Sequence, residues 1–401
     1  AREACKPATT SRRKKFAPVK IIIVDEMSML GKTGLEGIHN SLQNYATDAA
    51  DRGKDFGNFV IVLVGDFFQL EAVKQQPLFH DHGKGMGISG FAFHELTVQN
   101  RVRAGEGEVE QRMNLEHKKM IELLRGSAED IKTAIEALLK RNIPIDPVDV
   151  PLDVPIVTAT NAERSTINKC RMQEWAKRRN LPLAAFCLLG EDFRPHVDAP
   201  WMYFCPGSSA VFIENASKEL KAINSAKATM SHFQYTDLQR HAAMLLCLKE
   251  AKPGEIVYLP APEYVWVKVE STGSLFPCKR LANDDKDFKF IDQNTGAKVP
   301  FKPFSVEPAM SYSFHKVQGI NASMLAIDVS KRPSKAGLAQ LKLSALYVAV
   351  TRVTSAAGLM IMKPRLGTTF DHLKKMKPSK TLSHFRQNRI QTNAVGVRVI
   401  V

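Results

Sequence analysis

Two short apolar runs near the start of the chain each end in an acidic residue. The run IIIV at positions 21–24 leads directly into Asp25 and Glu26, and the run FVIVLV at 59–64 leads into Gly65 and Asp66. Continuous runs rich in β-branched residues predict strands buried on both faces of a parallel sheet. With a helical stretch between them, the two strands form a predicted βαβ unit. Ligands of open α/β sheets bind at the carboxyl ends of the strands, so we expect chemistry at residues 25 and 26.

Helical periodicity dominates the next part of the chain. Residues 108–125 have apolar positions at helical spacing and stop at Gly126, and Ser127 to Asp130 resembles a capping box before a second helix. A proline-rich stretch, IPIDPVDVPLDVP, predicts a link between domains, and a new strand is expected over 155–160. Residues 200–305 show short apolar runs broken by Pro, Gly and Asn, which is typical of small all-β structure. The α/β pattern returns at 324–352, and little order is expected after 366.

Composition indicates an intracellular protein with a polyanionic partner. The 401 residues include 56 Lys and Arg against 41 Asp and Glu, a net charge of +15 that favours binding to phosphate backbones. An inert basic surface is the alternative. The chain shows no run of ~20 apolar residues and no apolar signal region, so neither a membrane nor secretion is expected. The sequence does not distinguish nucleus, mitochondrion and bacterial cytoplasm. Six scattered cysteines predict reduced thiols and no zinc site.

The acidic strand end has the chemistry of a nucleotide site. In P-loop nucleoside triphosphatases one carboxylate at this position holds Mg²⁺ against the phosphates, and a neighbour activates water. The simpler alternative is that Asp25 and Glu26 only cap the next helix. Later segments add a glutamine just past the second strand, Gln69, and two arginines that suit a transferred phosphoryl group, Arg101 and Arg352. The segment SFHKVQG at 313–319 has the small, basic and amide residues of a phosphate-facing loop.

Together these segments resemble the Pif/RecD-like branch of superfamily one DNA helicases. DEMSM at 25–29 is similar to that family's Walker B segment, GDFFQL at 65–70 to its third motif and LTVQNR at 96–101 to its fourth. PIVTATNAERSTIN at 155–168 resembles the start of its second RecA-like domain. SFHKVQGI and LYVAVTRV resemble its fifth and sixth motifs, and the resemblance extends from residue 20 to about 362.

The resemblance implies a role for each matched residue. Asp25 would hold Mg²⁺, Glu26 would activate water, and Gln69 would couple the γ-phosphate of ATP to the gap between two motor domains. Arg101 and Arg352 would neutralise charge on the phosphoryl group, and Gly319 would let the backbone approach phosphate. The implied nucleic-acid contacts are Thr160, Asn161, Ser313, His315 and Lys316. The implied cofactors are ATP and Mg²⁺, and the implied partners are single-stranded and duplex DNA. The oligomeric state is not implied, and a monomer is compatible with the sequence.

The departures from the family concern the phosphate loop above all. No GxxxxGK[ST] occurs, because the only GK[ST], at 31–33, would need glycine where Glu26 stands. We interpret Gly31-Lys32-Thr33 as a surface turn. The chain is therefore expected to be an N-terminally truncated or degenerate relative that hydrolyses ATP poorly by itself. The third motif also lacks the usual prolines, which are Glu71 and Ala72 here.

The predicted fold class is α/β, with tandem RecA-like P-loop motor domains, the first incomplete, and a small SH3-like all-β insertion in the second. The predicted divisions are a partial first motor with following helices (1–145), the start of the second (151–199), the insertion (200–305), the rest of the second motor (306–365) and a basic tail (366–401). The predicted function is a fragment of an ATP-dependent helicase that moves 5′ to 3′ on single-stranded DNA and unwinds duplexes. The alternatives are a helicase-derived nucleic-acid-binding protein without ATPase activity and, less favoured, a non-helicase P-loop ATPase.

Overall fold

The computed structural model of the chain describes residues 9–80, 85–93, 96, 100–189, 200–281, 288–291, 296–332 and 341–391. Predictions that concern Cys5, Gln99 and residues 392–401 lie outside the described residues. The helices are α1 Thr10–Phe16, α2 Lys32–Tyr45, α3 Glu108–Leu123, α4 Ala128–Arg141, α5 Asn161–Arg178, α6 Leu238–Glu250, α7 Phe314–Val317, α8 Leu343–Val350 and α9 Lys380–Gln391. No helix in these ranges is long and apolar enough to cross a bilayer.

The strands complete a mixed α/β architecture. In chain order they are β1 Ile21–Val24, β2 Val60–Leu63, β3 Ile156–Thr158, β4 Leu183–Cys187, β5 Trp201–Phe204, β6 Ser209–Phe212, β7 Lys227–Gln234, β8 Ile256–Pro260, β9 Tyr264–Val269, β10 Leu275–Cys278, β11 Lys289–Ile291, β12 Lys298–Pro300, β13 Val306–Pro308, β14 Ser311–Ser313, β15 Leu325–Ile327 and β16 Leu359–Ile361.

Strands β1 and β2 form the predicted βαβ unit with α2 between them. They pair in parallel, with Val24 opposite Leu63, so their carboxyl ends lie side by side. The expectation that both faces are buried is wrong. Ile22 and Ile61 pack against a core that contains Leu35 of α2. The opposite face is open, because Ile23 is 67% exposed and Val60 is 56% exposed. An apolar run specifies a strand but not what packs on each of its faces.

A second parallel sheet has the strand order β14-β3-β15-β16. Helices share its core: α3 and α4 contribute Met120, Ile121, Ile131 and Ile135, α7 contributes Phe314 and Val317, and α8 contributes Leu346 and Val348. The predicted capping box at the start of α4 is present, with Asp130 N–H donating to Ser127 Oγ at 3.2 Å. The helices expected in the first division thus pack on the second sheet, while the division boundaries themselves stay a prediction.

The region 200–305 contains the expected short strands and one unexpected helix. Five antiparallel strands follow the order β10-β9-β7-β6-β13, and β5 pairs with β4 beside β8. The all-β expectation is wrong at α6, which begins after Asp237, whose side chain accepts from the N–H groups of Gln239 and Arg240. That cap is readable in the sequence, but the helix has no buried residue to mark an apolar face.

The expectation of little order after residue 366 is wrong for α9. This helix returns to the first sheet, where Leu382 and Phe385 are buried with Phe67, Phe79 and Phe93. Among the side chains described in α9 these two are the buried apolar ones, too few to produce a clear helical periodicity in the sequence. No disulfide joins the described cysteines, which are Cys170, Cys187, Cys205, Cys247 and Cys278.

Candidate nucleotide site between the two sheets

The carboxyl ends of β1 and β2 hold Glu26 in an unusual backbone conformation. Glu26 has φ 52° and ψ 46°, the left-handed region that few non-glycine residues adopt. The next residue, Met27, donates its N–H to Val64 O at 2.9 Å, which ties the two strand ends together. Gly65 makes this possible, because a Cβ there would lie 2.7 Å from Met27 N. Strain of this kind commonly accompanies a functional site.

The carboxylate of Glu26 is held by a residue from the other sheet. Gln318 follows α7 and donates from Nε2 to Glu26 Oε2 at 2.9 Å and to Ser28 Oγ at 3.2 Å. Gly319 has φ +81°, and a Cβ on it would lie 3.8 Å from Glu26 Oε1. The predicted loop therefore reaches the predicted catalytic carboxylate across 292 residues of sequence.

Gln69 lies in a tight turn that begins at Asp66. Phe68 N–H donates to Asp66 Oδ1 at 2.9 Å, and Gln69 N–H donates to Asp66 O at 3.0 Å. The other carboxylate oxygen accepts from Tyr347 of α8 at 2.6 Å. Burial and the negative charge of Asp66 raise the pKa of Tyr347, so its hydroxyl stays protonated and donates.

Both predicted arginines are held at the end of α8. Arg352 is fully buried, and its Nε and Nη2 donate to Val348 O and Thr351 Oγ1, both at 3.1 Å. Arg101 donates to Thr351 O at 3.2 Å and to Asn321 Oδ1 at 2.8 Å. Burial and the charge of Arg101 lower the pKa of Arg352 to about 10, while Glu26 acts in the opposite direction. Arg352 is still a cation at neutral pH.

Three buried polar atoms around this cleft have no partner within the described part of the chain. They are Arg352 Nη1, Gln69 Oε1 and Gln318 Oε1. A buried polar atom without a partner costs free energy, so such atoms usually meet water or a ligand. Arg352 Nη1 can only donate, and a phosphate oxygen is a suitable acceptor. The two amide oxygens accept, and they suit the hydrogens of a water molecule.

The acidic strand end fits a magnesium–nucleotide complex better than a metal bound by protein alone. Asp25 is exposed, and one of its carboxylate oxygens accepts from Glu26 N–H at 2.8 Å. Mg²⁺ commonly binds one or two carboxylates, with water and substrate phosphates completing its coordination. Asp25 matches that mode. Among the described residues no group of three or more His, Cys, Asp and Glu side chains forms a metal cluster.

The predicted nucleic-acid residues share one edge of the second sheet. Thr158 pairs with Ser313 where β3 and β14 run parallel, so the segments that follow both strands lie together. Thr160 and Ser313 cap α5 and α7 through their hydroxyls, while Asn161 is exposed. Lys316 forms an ion pair with Glu307, which also pairs with Arg164. Partial burial and the charge of Lys342 lower the pKa of His315.

Gly31-Lys32-Thr33 is not the surface turn that we expected. It starts α2. Lys32 is buried, and its Nζ donates to the backbone carbonyl of His80 at 3.1 Å. Thr33 Oγ1 donates to Gln75 Oε1 at 2.9 Å, and a Cβ on Gly31 would lie 2.3 Å from the same oxygen. The triplet is occupied by structural contacts.

Sequence reasoning assigned no role to Asp66, Ser28, Asn321, Gln318 or Tyr347. Gln318 lies inside the motif HKVQG, and Tyr347 lies inside the motif YVAVTR. Their partners are hundreds of positions away, so only the folded chain shows the contacts.

Comparison with known proteins is consistent with this arrangement. The PIF1-like helicase family matches residues 3–85. The ATP-dependent DNA helicase Pif1 of Psychrobacter sp. (strain PRwf-1) is 22% identical over 374 residues, which are 85% of this chain and 53% of the relative. The chain is thus similar in sequence to Pif1 helicases. It spans about half the length of this curated Pif1.

Solved Pif1 structures share the fold. A Bacteroides Pif1 bound to single-stranded DNA has a TM-score of 0.61 and 16% identity, covering 96% of this chain and 79% of that one. A Bacteroides Pif1 in complex with ADP-AlF3 and single-stranded DNA has a TM-score of 0.60 and 15% identity, covering 98% of this chain and 81% of that one. The α/β fold class with tandem RecA-like units is confirmed. The functions of the individual site residues remain predictions.

Proposed function

We propose that this chain forms the motor core of a DNA helicase that couples Mg²⁺-ATP hydrolysis to movement along single-stranded DNA. The observation that carries the proposal is Arg352, a fully buried cation whose Nη1 has no partner within the described ranges, beside the Glu26 carboxylate that influences its pKa. A buried unpaired donor of this kind is best satisfied by an anion. The triphosphate of ATP is that anion.

Each residue of the cleft then has a defined task. Glu26, held by Gln318, accepts the proton of the attacking water. Arg101 and Arg352 neutralise charge that develops on the phosphoryl oxygens, and Gln69 orients the water or contacts the γ-phosphate. When bound at Asp25, Mg²⁺ would neutralise phosphate charge.

The same cleft offers a way to couple hydrolysis to movement. Gln318 and Gly319 contact Glu26 from the second sheet, and Tyr347 contacts Asp66. These contacts change when the two sheets separate, so the nucleotide state and the sheet separation depend on each other. We propose 5′ to 3′ translocation and duplex unwinding. The bound single-stranded DNA and ADP-AlF3 of the Bacteroides Pif1 structures support nucleotide and DNA as ligands of this fold.

A second candidate function follows from the phosphate loop. The 401 residues contain no GxxxxGK[ST], and Lys32 of the single GK[ST] is tied to His80 O. A loop of that kind supplies backbone N–H groups and a lysine to the phosphates. A nucleic-acid-binding protein without ATPase activity is therefore the alternative, whereas the first candidate predicts slow turnover by the chain alone.

The decisive experiment compares wild type with Glu26→Gln. Steady-state hydrolysis of Mg²⁺-ATP is measured with and without poly-dT, and nucleotide binding is measured in parallel. We expect slow, DNA-stimulated turnover in wild type and at least a ~100-fold loss in Glu26→Gln, with nucleotide affinity retained, because the amide cannot accept the proton of water. Turnover that Glu26→Gln leaves unchanged would remove Glu26 from catalysis. No turnover in wild type, together with binding of DNA, would favour the second candidate.

A further inference from the structure

The turn from Asp66 to Gln69 is held in place by residues that are remote in sequence. Asp66 accepts from Tyr347 of α8, and the two residues between Asp66 and Gln69 are both aromatic. Phe67 is buried, and its ring contacts Phe385 of α9 edge to face, with centroids 5.9 Å apart. Phe385 also contacts Phe79 and Phe93 at 6.1 and 5.8 Å. Helix α9 therefore completes the aromatic cluster in which Phe67 is fixed.

The second aromatic residue of the turn is held by cations. The guanidinium of Arg386, also in α9, lies 5.0 Å from the ring centroid of Phe68, and that of Arg125 lies 4.9 Å from it. Arg386 Nη1 donates to Arg125 O at 2.9 Å, which joins α9 to the chain just after α3. Cations at such distances attract the face of an aromatic ring.

We propose that α9 is a positioning element for Gln69, acting through Phe385 on Phe67 and through Arg386 on Phe68. The turn is closed by Gln69 N–H on Asp66 O, so it cannot shift without moving the two rings. Because Arg386 and Phe385 act through Phe68 and Phe67, they are positioning residues and not catalytic ones. The importance of Gln69 rests on the function proposed above. The mechanical link between α9 and the turn does not.

Hydrogen exchange in the full chain tests the link. The amides of Phe68 and Gln69 report the turn, because their acceptors are Asp66 Oδ1 and Asp66 O. For Arg386→Ala we expect these two amides to exchange roughly three- to tenfold faster, as loss of a cation over a ring weakens the closed turn. Amides of α4 and β3 should keep their rates, and the melting temperature should hardly change.

Two further variants sharpen the test. Lys380→Ala removes an exposed positive charge from the first turn of the same helix and should leave both amides unchanged. Arg386→Lys keeps a cation near Phe68 and should recover part of the protection. Tyr347→Phe removes the hydrogen bond to Asp66 from the other side, and combined with Arg386→Ala it should give a non-additive effect on the Gln69 amide.

Two results would overturn the proposal. Unchanged exchange at Phe68 and Gln69 in Arg386→Ala would show that α9 does not hold the turn. A uniform rise across α4, β3 and the turn, with a lower melting temperature, would show that α9 contributes only general stability. The measurement contains neither nucleotide nor DNA. A failure here therefore leaves the helicase proposal intact, and an inactive ATPase leaves this measurement interpretable.

Discussion

His117 is a buried histidine that ties α3 to the end of α8, just before the candidate arginine finger Arg352. Its Nε2 lies 3.2 Å from Val350 O, and its Nδ1 lies 3.0 Å from Arg141 Nη2. An arginine can only donate, so Nδ1 accepts and Nε2 carries the hydrogen. Val350 is two residues before Arg352. Burial, and then the charge of Arg141, lower the pKa of His117 to about 4.

The neutral form of His117 predicts a pH-dependent stability. In the unfolded chain this group has its ordinary pKa of 6.5, and in the folded chain its pKa is about 4. The contribution of neutral His117 to the free energy of unfolding is therefore complete above pH 6.5. It declines by about 3 kcal/mol as the pH falls through 4. This pH dependence is measured by unfolding wild type and His117→Gln with denaturant at pH 7, 5.5 and 4. The stability difference between the two proteins should shrink with falling pH, and parallel curves would contradict the prediction.

Arg352 should matter for turnover and not for DNA binding. In the proposed function its charge is needed most in the transition state, where an arginine finger contributes ~10³ to 10⁵ in rate. We expect Arg352→Ala to lose most DNA-stimulated ATP hydrolysis while its affinity for poly-dT stays within about twofold of wild type. Arg352→Lys should also be impaired, because one amine cannot replace the donors to Val348 O and Thr351 Oγ1. Normal turnover in Arg352→Ala would place the residue outside the site.

At the scale of elements, the start of α5 combines a cap with a candidate DNA contact. Thr160 Oγ1 accepts from Glu163 N–H at 3.1 Å, and Glu163 Oε2 accepts from Thr160 N–H at 3.1 Å. Burial opposes ionisation of Glu163, but hydrogen bonds from Thr158 and Arg332 prevail and lower its pKa to about 2. The first turn of α5 is therefore held in its conformation without bound DNA.

This cap predicts a separable effect of two substitutions. Thr160→Ala should lower the free energy of unfolding by about 1 kcal/mol, and Thr160→Ser should be close to neutral because its hydroxyl can still cap. If Thr160 also contacts a DNA phosphate, Thr160→Ala should weaken poly-dT binding beyond the loss seen for a matched cap variant, Ser127→Ala. Equal DNA affinities of Thr160→Ala and Ser127→Ala would limit Thr160 to capping.

The elements also show how far the sequence could be interpreted. Helices α3 and α4, strands β1 to β3 and the parallel pairing of β1 with β2 follow from local periodicity and caps. Exposure of one face of β1, the burial of Lys32 and the docking of α9 depend on what packs nearby, which local patterns do not contain. The candidate site was predicted at Glu26, Gln69 and Arg352. Gln318 and Tyr347 were missed because their partners are remote in sequence.

At the scale of the whole molecule, the sheet of β1 and β2 presents an open apolar face. Ile23 and Val60 are mostly exposed, while Ile22 and Ile61 pack on the opposite side. The double variant Ile23→Thr, Val60→Thr should change stability by less than about 0.5 kcal/mol, because threonine keeps the β-branched shape. It should also bind less of an apolar dye.

The matched control places threonine on the packed face of the same two strands. Ile22→Thr or Ile61→Thr places a hydroxyl against the core and should cost about 1 to 3 kcal/mol. Urea unfolding of the variants compares the two faces directly. A large cost for the Ile23 and Val60 pair would mean that this face is covered in solution.

The net charge of +15 belongs to the molecule as a whole and predicts how DNA binds. Each phosphate that a lysine or arginine neutralises releases a counterion, so affinity for single strands should fall with salt by a logarithmic slope of about −0.7 per contact.

Lys316 lies at the sheet edge with the other candidate contacts, but it also pairs with Glu307. If it reaches a phosphate, Lys316→Ala should make the slope shallower by about 0.7 and weaken poly-dT and mixed sequences alike. Lys249→Ala, an exposed lysine of α6, is the control and should change neither. If the pair with Glu307 is its only role, Lys316→Ala should lower the melting temperature and leave the slope unchanged. Binding that favours one sequence and resists salt would contradict a motor, because a motor must grip every base alike.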